Sequence, residues 1–135
     1  MLMIKTHEIL IVDDSSDDQQ VIVTLLKRSF SCIIHTVSTL PEAKEKILNN
    51  NFSIIVLDGM LPCITTGGKG ESLIPFIKQH QKNNPVIIMV SGEKRYIDSG
   101  LEKGAHFGFK KDEIKKLVKL TGTFNLIPIR SKIIA

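Results

Sequence analysis

Short apolar runs recur along the chain, and each ends abruptly in polar residues. His7 to Val12, Cys32 to Val37, Phe52 to Leu57, Pro85 to Val90 and Ala105 to Phe109 are rich in Ile, Val and Phe and lack the polar alternation of a half-exposed sheet. Runs of this kind predict strands covered on both faces, as in a parallel sheet. Between them the apolar positions shift to helical spacing. Val21, Ile22, Leu25 and Leu26 predict a helix from about 17 to 29, begun by Ser15 or Ser16. Pro41, Ala43, Ile47 and Leu48 predict a second, capped by Ser38 or Thr39 and ended by Asn49 to Asn51. Further helices are predicted over 71–81 and over 94–103, the latter stopped by Gly104, and a last one is capped by Asp112 and runs through Leu120. Five strands alternating with five helices predict an α/β fold, a doubly wound parallel sheet with helices on both faces.

In such sheets ligand chemistry sits outside the carboxyl ends of the strands. The third run ends at Asp58-Gly59-Met60-Leu61-Pro62, and the first ends at Asp13-Asp14. For Asp58 alone, helix N-capping is an equal competitor. A second acidic strand end tips the balance toward a site. Asp17 and Asp18 have a plainer role in the first turn of a helix, where the macrodipole favours acids. The fourth run ends in Ser91-Gly92 and the fifth in Lys110-Lys111. Asp13, Asp14, Asp58, Ser91 and Lys111 are therefore expected to converge on one sheet edge. Three close carboxylates need a raised pKa or a cation between them, and hard oxygen ligands suit Mg²⁺. Asp58 as nucleophile, beside a metal, an ammonium and a hydroxyl, makes a phosphoryl-acceptor site.

Four segments in this order resemble the receiver domain of two-component response regulators. They are Ile9-Leu-Ile-Val-Asp-Asp-Ser15, Ile55-Val-Leu-Asp-Gly-Met-Leu-Pro62, Pro85-Val-Ile-Ile-Met-Val-Ser-Gly92 and Gly104-Ala-His-Phe-Gly-Phe-Lys-Lys-Asp112. The resemblance implies a flavodoxin-like sheet of order 2-1-3-4-5, with a receiver unit over 1–121 and a tail over 122–135. It implies Asp58 as phosphoacceptor, and Asp13, Asp14, Asp58 and the Met60 carbonyl as ligands of Mg²⁺. Ser91 becomes the switch hydroxyl and Lys111 the phosphate-binding lysine, with Lys110 the alternative should the register slip by one. The chain departs from the family where an aromatic residue usually lies three positions before the lysine. Here that residue is Gly108, flanked by Phe107 and Phe109.

The function implied is that of a stand-alone response regulator, a phosphoprotein rather than a true enzyme. Its phosphoryl group would come from a histidine kinase or histidine phosphotransfer protein, and its signal would pass through a protein partner or a homodimer. A phosphorylation-independent binding module is the alternative, motivated by Gly108. An aspartate phosphatase would want Asp-x-Asp on one strand end, and a flavodoxin a Ser/Thr-Gly-rich loop after the first strand; neither pattern occurs.

The 135 residues suit one domain, 42% hydrophobic and 24% charged. No apolar stretch has the length of a membrane span and the start carries no targeting pattern, so a cytoplasmic location is expected, in a bacterium as the resemblance implies. The net charge of +4 arises in the last third, where residues 103–135 carry 8 basic and 2 acidic side chains. With no base-reading motif beside them these lysines read as a solvated helix face, and no nucleic-acid binding is expected. Gly67-Gly-Lys-Gly70 lacks the order and position of a phosphate loop and reads as a flexible connection. Cys32 and Cys63 lack metal spacing and read as reduced structural thiols, and His35 reads as packing.

Overall fold

The β-branched runs form the middle of the molecule. In the computed structural model, which describes residues 6–29, 31–61 and 68–114, β1 (His7–Val12), β2 (Cys32–Val37), β3 (Ile54–Asp58), β4 (Val86–Ser91) and β5 (Phe107–Lys110) make one parallel sheet. Its order is β2-β1-β3-β4-β5, the flavodoxin-like arrangement expected. Four α-helices are described: α1 (Ser16–Ser29), α2 (Leu40–Asn49), α3 (Leu73–His80) and α4 (Lys94–Lys103). The predicted last helix beyond Ile114, the tail 122–135 and Cys63 lie outside the described residues.

Strand parity sorts the core into two halves. Ile9, Ile11, Ile54, Val56, Ile88 and Val90 pack on Ile22 and Leu26 of α1, with Phe107, Phe109 and Ile114 joining at the edge. Leu10, Val12, Ile55, Leu57, Ile87 and Met89 pack on the other side against Ala43 and Ile47 of α2, Leu73, Ile74 and Ile77 of α3, and Ile97 of α4. Most of these side chains are fully buried. Each contributes about 1.5–3 kcal/mol relative to leaving it exposed, which is why the apolar runs dominate the fold.

Caps place the helices. Ser15 Oγ accepts the Asp18 N–H at 3.2 Å and so begins α1. Thr39 Oγ1 accepts the Glu42 N–H at 3.3 Å while donating to Glu42 Oε1 at 2.8 Å, a reciprocal pair that begins α2. Gly104, at φ 116°, ends α4 in the left-handed region that glycine enters without strain. His35 packs edge-on against Phe52 and pairs with Glu8 at 3.2 Å, as a packing histidine does.

The connection after Asp58 differs from expectation. Its two ends, Met60–Leu61 and Gly68–Lys69, pair as a short antiparallel ladder, and Gly70–Ser72 then form a 3-10 turn into α3. Period-two patterning over two residues is too brief to read from sequence. What holds the turn is contact: the Gly70 N–H donates to the Gly59 carbonyl at 3.1 Å, and a Cβ on residue 70 would run into the Asp58 carbonyl oxygen. Pro75 falls in the first turn of α3, where its missing N–H costs nothing.

Candidate functional site: an acidic cleft at the carboxyl edge of the sheet

Register brings the acids together. Val12 of β1 lies opposite Leu57 of β3, so Asp13 and Asp58, the next residue of each, stand level on neighbouring strands. Asp58 is paired with Val90, which sets Ser91 level with Gly59, and Ser91 pairs in turn with Lys110. Parity then separates the groups. Asp13 and Asp58 continue the faces of Ile11 and Val56 toward α1, and Lys111 follows Phe107 and Phe109 toward the same side. Ser91 continues the face of Met89 toward α4.

The cleft has a volume of about 480 Å³ and is lined by Asp14, Asp58, Met60, Ser91, Tyr96 and Lys111, among others. Asp13 is 1% exposed, Asp58 5% and Ser91 2%, while Asp14 faces solvent. Asp13 Oδ1 accepts the Ser15 N–H at 2.9 Å. The Asp58 carboxylate accepts the Met60 N–H at 3.4 Å, within its own turn, and caps no helix. Lys111 Nζ lies 3.3 Å from Asp13, 3.4 Å from Asp58 and 2.7 Å from Asp18. Lys110 is exposed and its backbone N–H meets Glu113. The register that would have favoured Lys110 is therefore not adopted, although the strand ladder stops at Lys110 and Lys111 opens a 3-10 turn.

Burial, and after it the charge of Asp13, pushes the Asp58 carboxyl up to about 7, with the Lys111 ammonium pulling the other way. Burial also raises Asp13, against the Ser15 N–H and Lys111. Burial opposes the charge on Lys111. The bond to Asp18 and the charges of Asp58 and Asp13 nonetheless hold its ammonium above the ordinary lysine range. Asp13, Asp14 and Asp58 each offer an oxygen, all within 4.8 Å of one another. Three carboxylates held so close, the buried Asp13 and Asp58 with raised pKa values, fit a hard divalent cation.

Several partners were not visible as motifs. Gln19, nearly buried, donates from Nε2 to the Asp13 carbonyl at 2.5 Å and to the Val37 carbonyl at 3.1 Å, tying β1 to β2 just below the acids. Gly59 leaves room for Tyr96 and Ser91, since a Cβ there would lie 2.5 Å from the Tyr96 Cβ. Asp18 has the contact with Lys111 that the macrodipole argument did not supply. The signal for it lay in parity, because α1 covers the face on which Lys111 emerges. At Gly108, on the opposite face of β5, a Cβ would collide with Ile97 Cγ2. An isoleucine of α4 thus fills the space beside the strand where an aromatic side chain would begin.

A family profile described as the response regulator receiver domain matches residues 9–121. Transcriptional regulatory protein SrrA of Staphylococcus aureus is 32% identical over 100 residues, 74% of this chain and 39% of its own length. The chain thus spans about two fifths of the curated relative it matches. The receiver domain of a Francisella response regulator, 24% identical, superposes with a TM-score of 0.72 over 93% of this chain and 98% of its own. A Burkholderia pseudomallei response regulator, solved with a phosphorylated aspartic acid, calcium ion and citrate, is 17% identical and superposes with a TM-score of 0.72 over 93% of this chain and 72% of its own. Both likenesses bear on the fold. With the profile spanning every strand and the acidic edge, the chain belongs to the response regulator receiver domain family.

Proposed function

We propose that this receiver accepts a phosphoryl group on Asp58 from a phosphohistidine donor, held by a histidine kinase or histidine phosphotransfer protein, and signals through protein contacts. The observation that carries the reading is the meeting of Asp13, Asp14 and Asp58 with Lys111 in one cleft. In the reaction an Asp58 oxygen attacks phosphorus, the N–P bond breaks, and the imidazole leaves with the electron pair. The product is an acyl phosphate. Asp13, Asp14, Asp58 and the Met60 carbonyl would hold Mg²⁺. That ion, when bound, neutralises charge on the transferring group and keeps Asp58 ionised. Lys111 binds a phosphoryl oxygen, and the Ser91 hydroxyl, across the cleft, accommodates another. The phosphorylated aspartic acid in the Burkholderia neighbour supports this assignment by analogy of fold.

The protein catalyses only its own phosphorylation and dephosphorylation in this reading. Its receiver unit spans 1–121 with a tail over 122–135, and it acts in a bacterial cytoplasm. Partners are the phosphodonor and a downstream protein or second copy. No helix among the described residues is long and apolar enough to cross a membrane.

Intact mass after incubation with a small acyl phosphate tests the reading. A gain of one phosphoryl group that requires Mg²⁺ and is absent from Asp58→Asn is the expected result. No gain, together with undetectable Mg²⁺ binding, would favour a phosphorylation-independent binding module. The packing of Ile97 onto Gly108 is the observation on that side, because it removes the usual moving ring.

A further inference from the structure

The nearest partner of Lys111 is none of the three acids at the strand ends. Its Nζ rests 2.7 Å from Asp18 Oδ2 and is 3.3 Å or more from Asp13 and Asp58. Asp18 is held in place by the same turn that fixes Asp13. Ser15 accepts the Asp18 N–H through its hydroxyl and donates its own N–H to Asp13. The Lys111 side chain is 26% exposed and that of Asp18 38%, so the pair is partly shielded from water.

A lysine ammonium is a compact charge whose energy depends on which anion it sits closest to. A phosphoryl group on Asp58 would add nearly two negative charges and three acceptor oxygens within reach of the same Nζ. One ammonium does not give both anions its closest approach.

We propose that Asp18 is a positioning residue that holds Lys111 in the unphosphorylated protein and competes with the phosphoryl group on Asp58 for its ammonium, limiting how tightly the phosphoryl state is held. The inference rests on the phosphoacceptor reading given above. Its size follows from the modest strength of partly exposed ion pairs, which corresponds to about a two- to fivefold change in affinity.

Calorimetric titration of the full chain with beryllium fluoride, a phosphoryl mimic, at saturating Mg²⁺ tests it. Asp18→Asn is expected to bind about two- to fivefold tighter than wild type, and Asp18→Glu to return toward the wild-type value. Asp17→Asn removes a charge from the same helical turn without touching Lys111, and is expected to match wild type. Equal affinity for Asp18→Asn and wild type would overturn the proposal while leaving Asp58 as acceptor. So would an equal gain in Asp17→Asn, because the effect would then be one of net charge. Absence of mimic binding in wild type, or undiminished binding in Asp58→Asn, would instead remove the phosphoacceptor reading and this inference with it.

Discussion

Asp58 carries a large electrostatic cost at the level of single residues. Its carboxyl, raised from 3.8 to about 7, binds a proton more tightly in the folded chain than in the unfolded one. Between those two pH values, therefore, stability falls as pH rises, and above about 7 the whole penalty is present. Asp58→Asn removes it. In metal-free buffer the variant is expected to be more stable than wild type by about 1–3 kcal/mol at pH 8, less at pH 6, and by little near pH 4. Urea unfolding midpoints measured across that range check the sign. A constant difference between the two proteins at every pH would contradict the burial account. Asp14, which follows Asp13, is open to solvent. Asp13, one step past the last paired residue of β1, and Asp58, the last paired residue of β3, are the two buried acids of the three.

Elements are held in place by polar side chains as much as by their apolar faces. Gln81, immediately after α3, accepts the Phe52 N–H at 2.9 Å and donates to the carbonyls of Ile47 and Asn50, each at 2.7 Å. One buried amide thereby satisfies the end of α2 and the entry to β3. Gln81→Ala would strand three backbone groups, and a loss of about 2–3 kcal/mol is expected, read from the urea midpoint and from faster hydrogen exchange at Phe52. Nothing in the sequence marks Gln81 for this role, since a polar residue at a helix end is ordinary. β1, β2, α2 and α4 were legible because apolar periodicity and caps coincide there: Thr39 precedes Pro41, and Gly104 follows Lys103. The short ladder joining Met60–Leu61 to Gly68–Lys69 was not legible. Its cause is the fit of Gly70 against the Asp58 backbone, a contact between residues whose adjacency only the fold reveals. Convergence of Asp13, Asp14, Asp58, Ser91 and Lys111 was readable from strand ends alone, whereas Asp18 was hidden by a sufficient local explanation. Its second partner, Lys111, opens the 3-10 turn after β5, 93 residues away.

On the scale of the whole molecule, the sheet divides labour between its two faces. The face toward α1 carries Asp13, Asp58, Lys111 and the phenylalanines of β5, so charge and aromatic packing share one side. The face toward α4 carries Ser91, Met89 and the close fit of Ile97 on Gly108. Tyr96, beside Ser91 and stacked under the Arg95 guanidinium at 4.8 Å, is the aromatic group that α4 contributes to the cleft. Any change at Asp58 that moves Ser91 meets α4 first through Tyr96, not through a ring on β5.

The crowding of buried carboxylates at one edge makes the folded state an instrument for its own ligands. Whatever neutralises those charges binds the folded chain and not the unfolded one, and so raises the temperature of unfolding by mass action. A cation held a hundredfold above its dissociation constant adds about 3 kcal/mol of stability, several degrees for a domain of this size. A thermal-shift plate can therefore rank divalent ions and phosphoryl mimics with the chain alone. Asp58→Asn, already relieved of its own charge, serves as the reference whose melting point is expected to respond least.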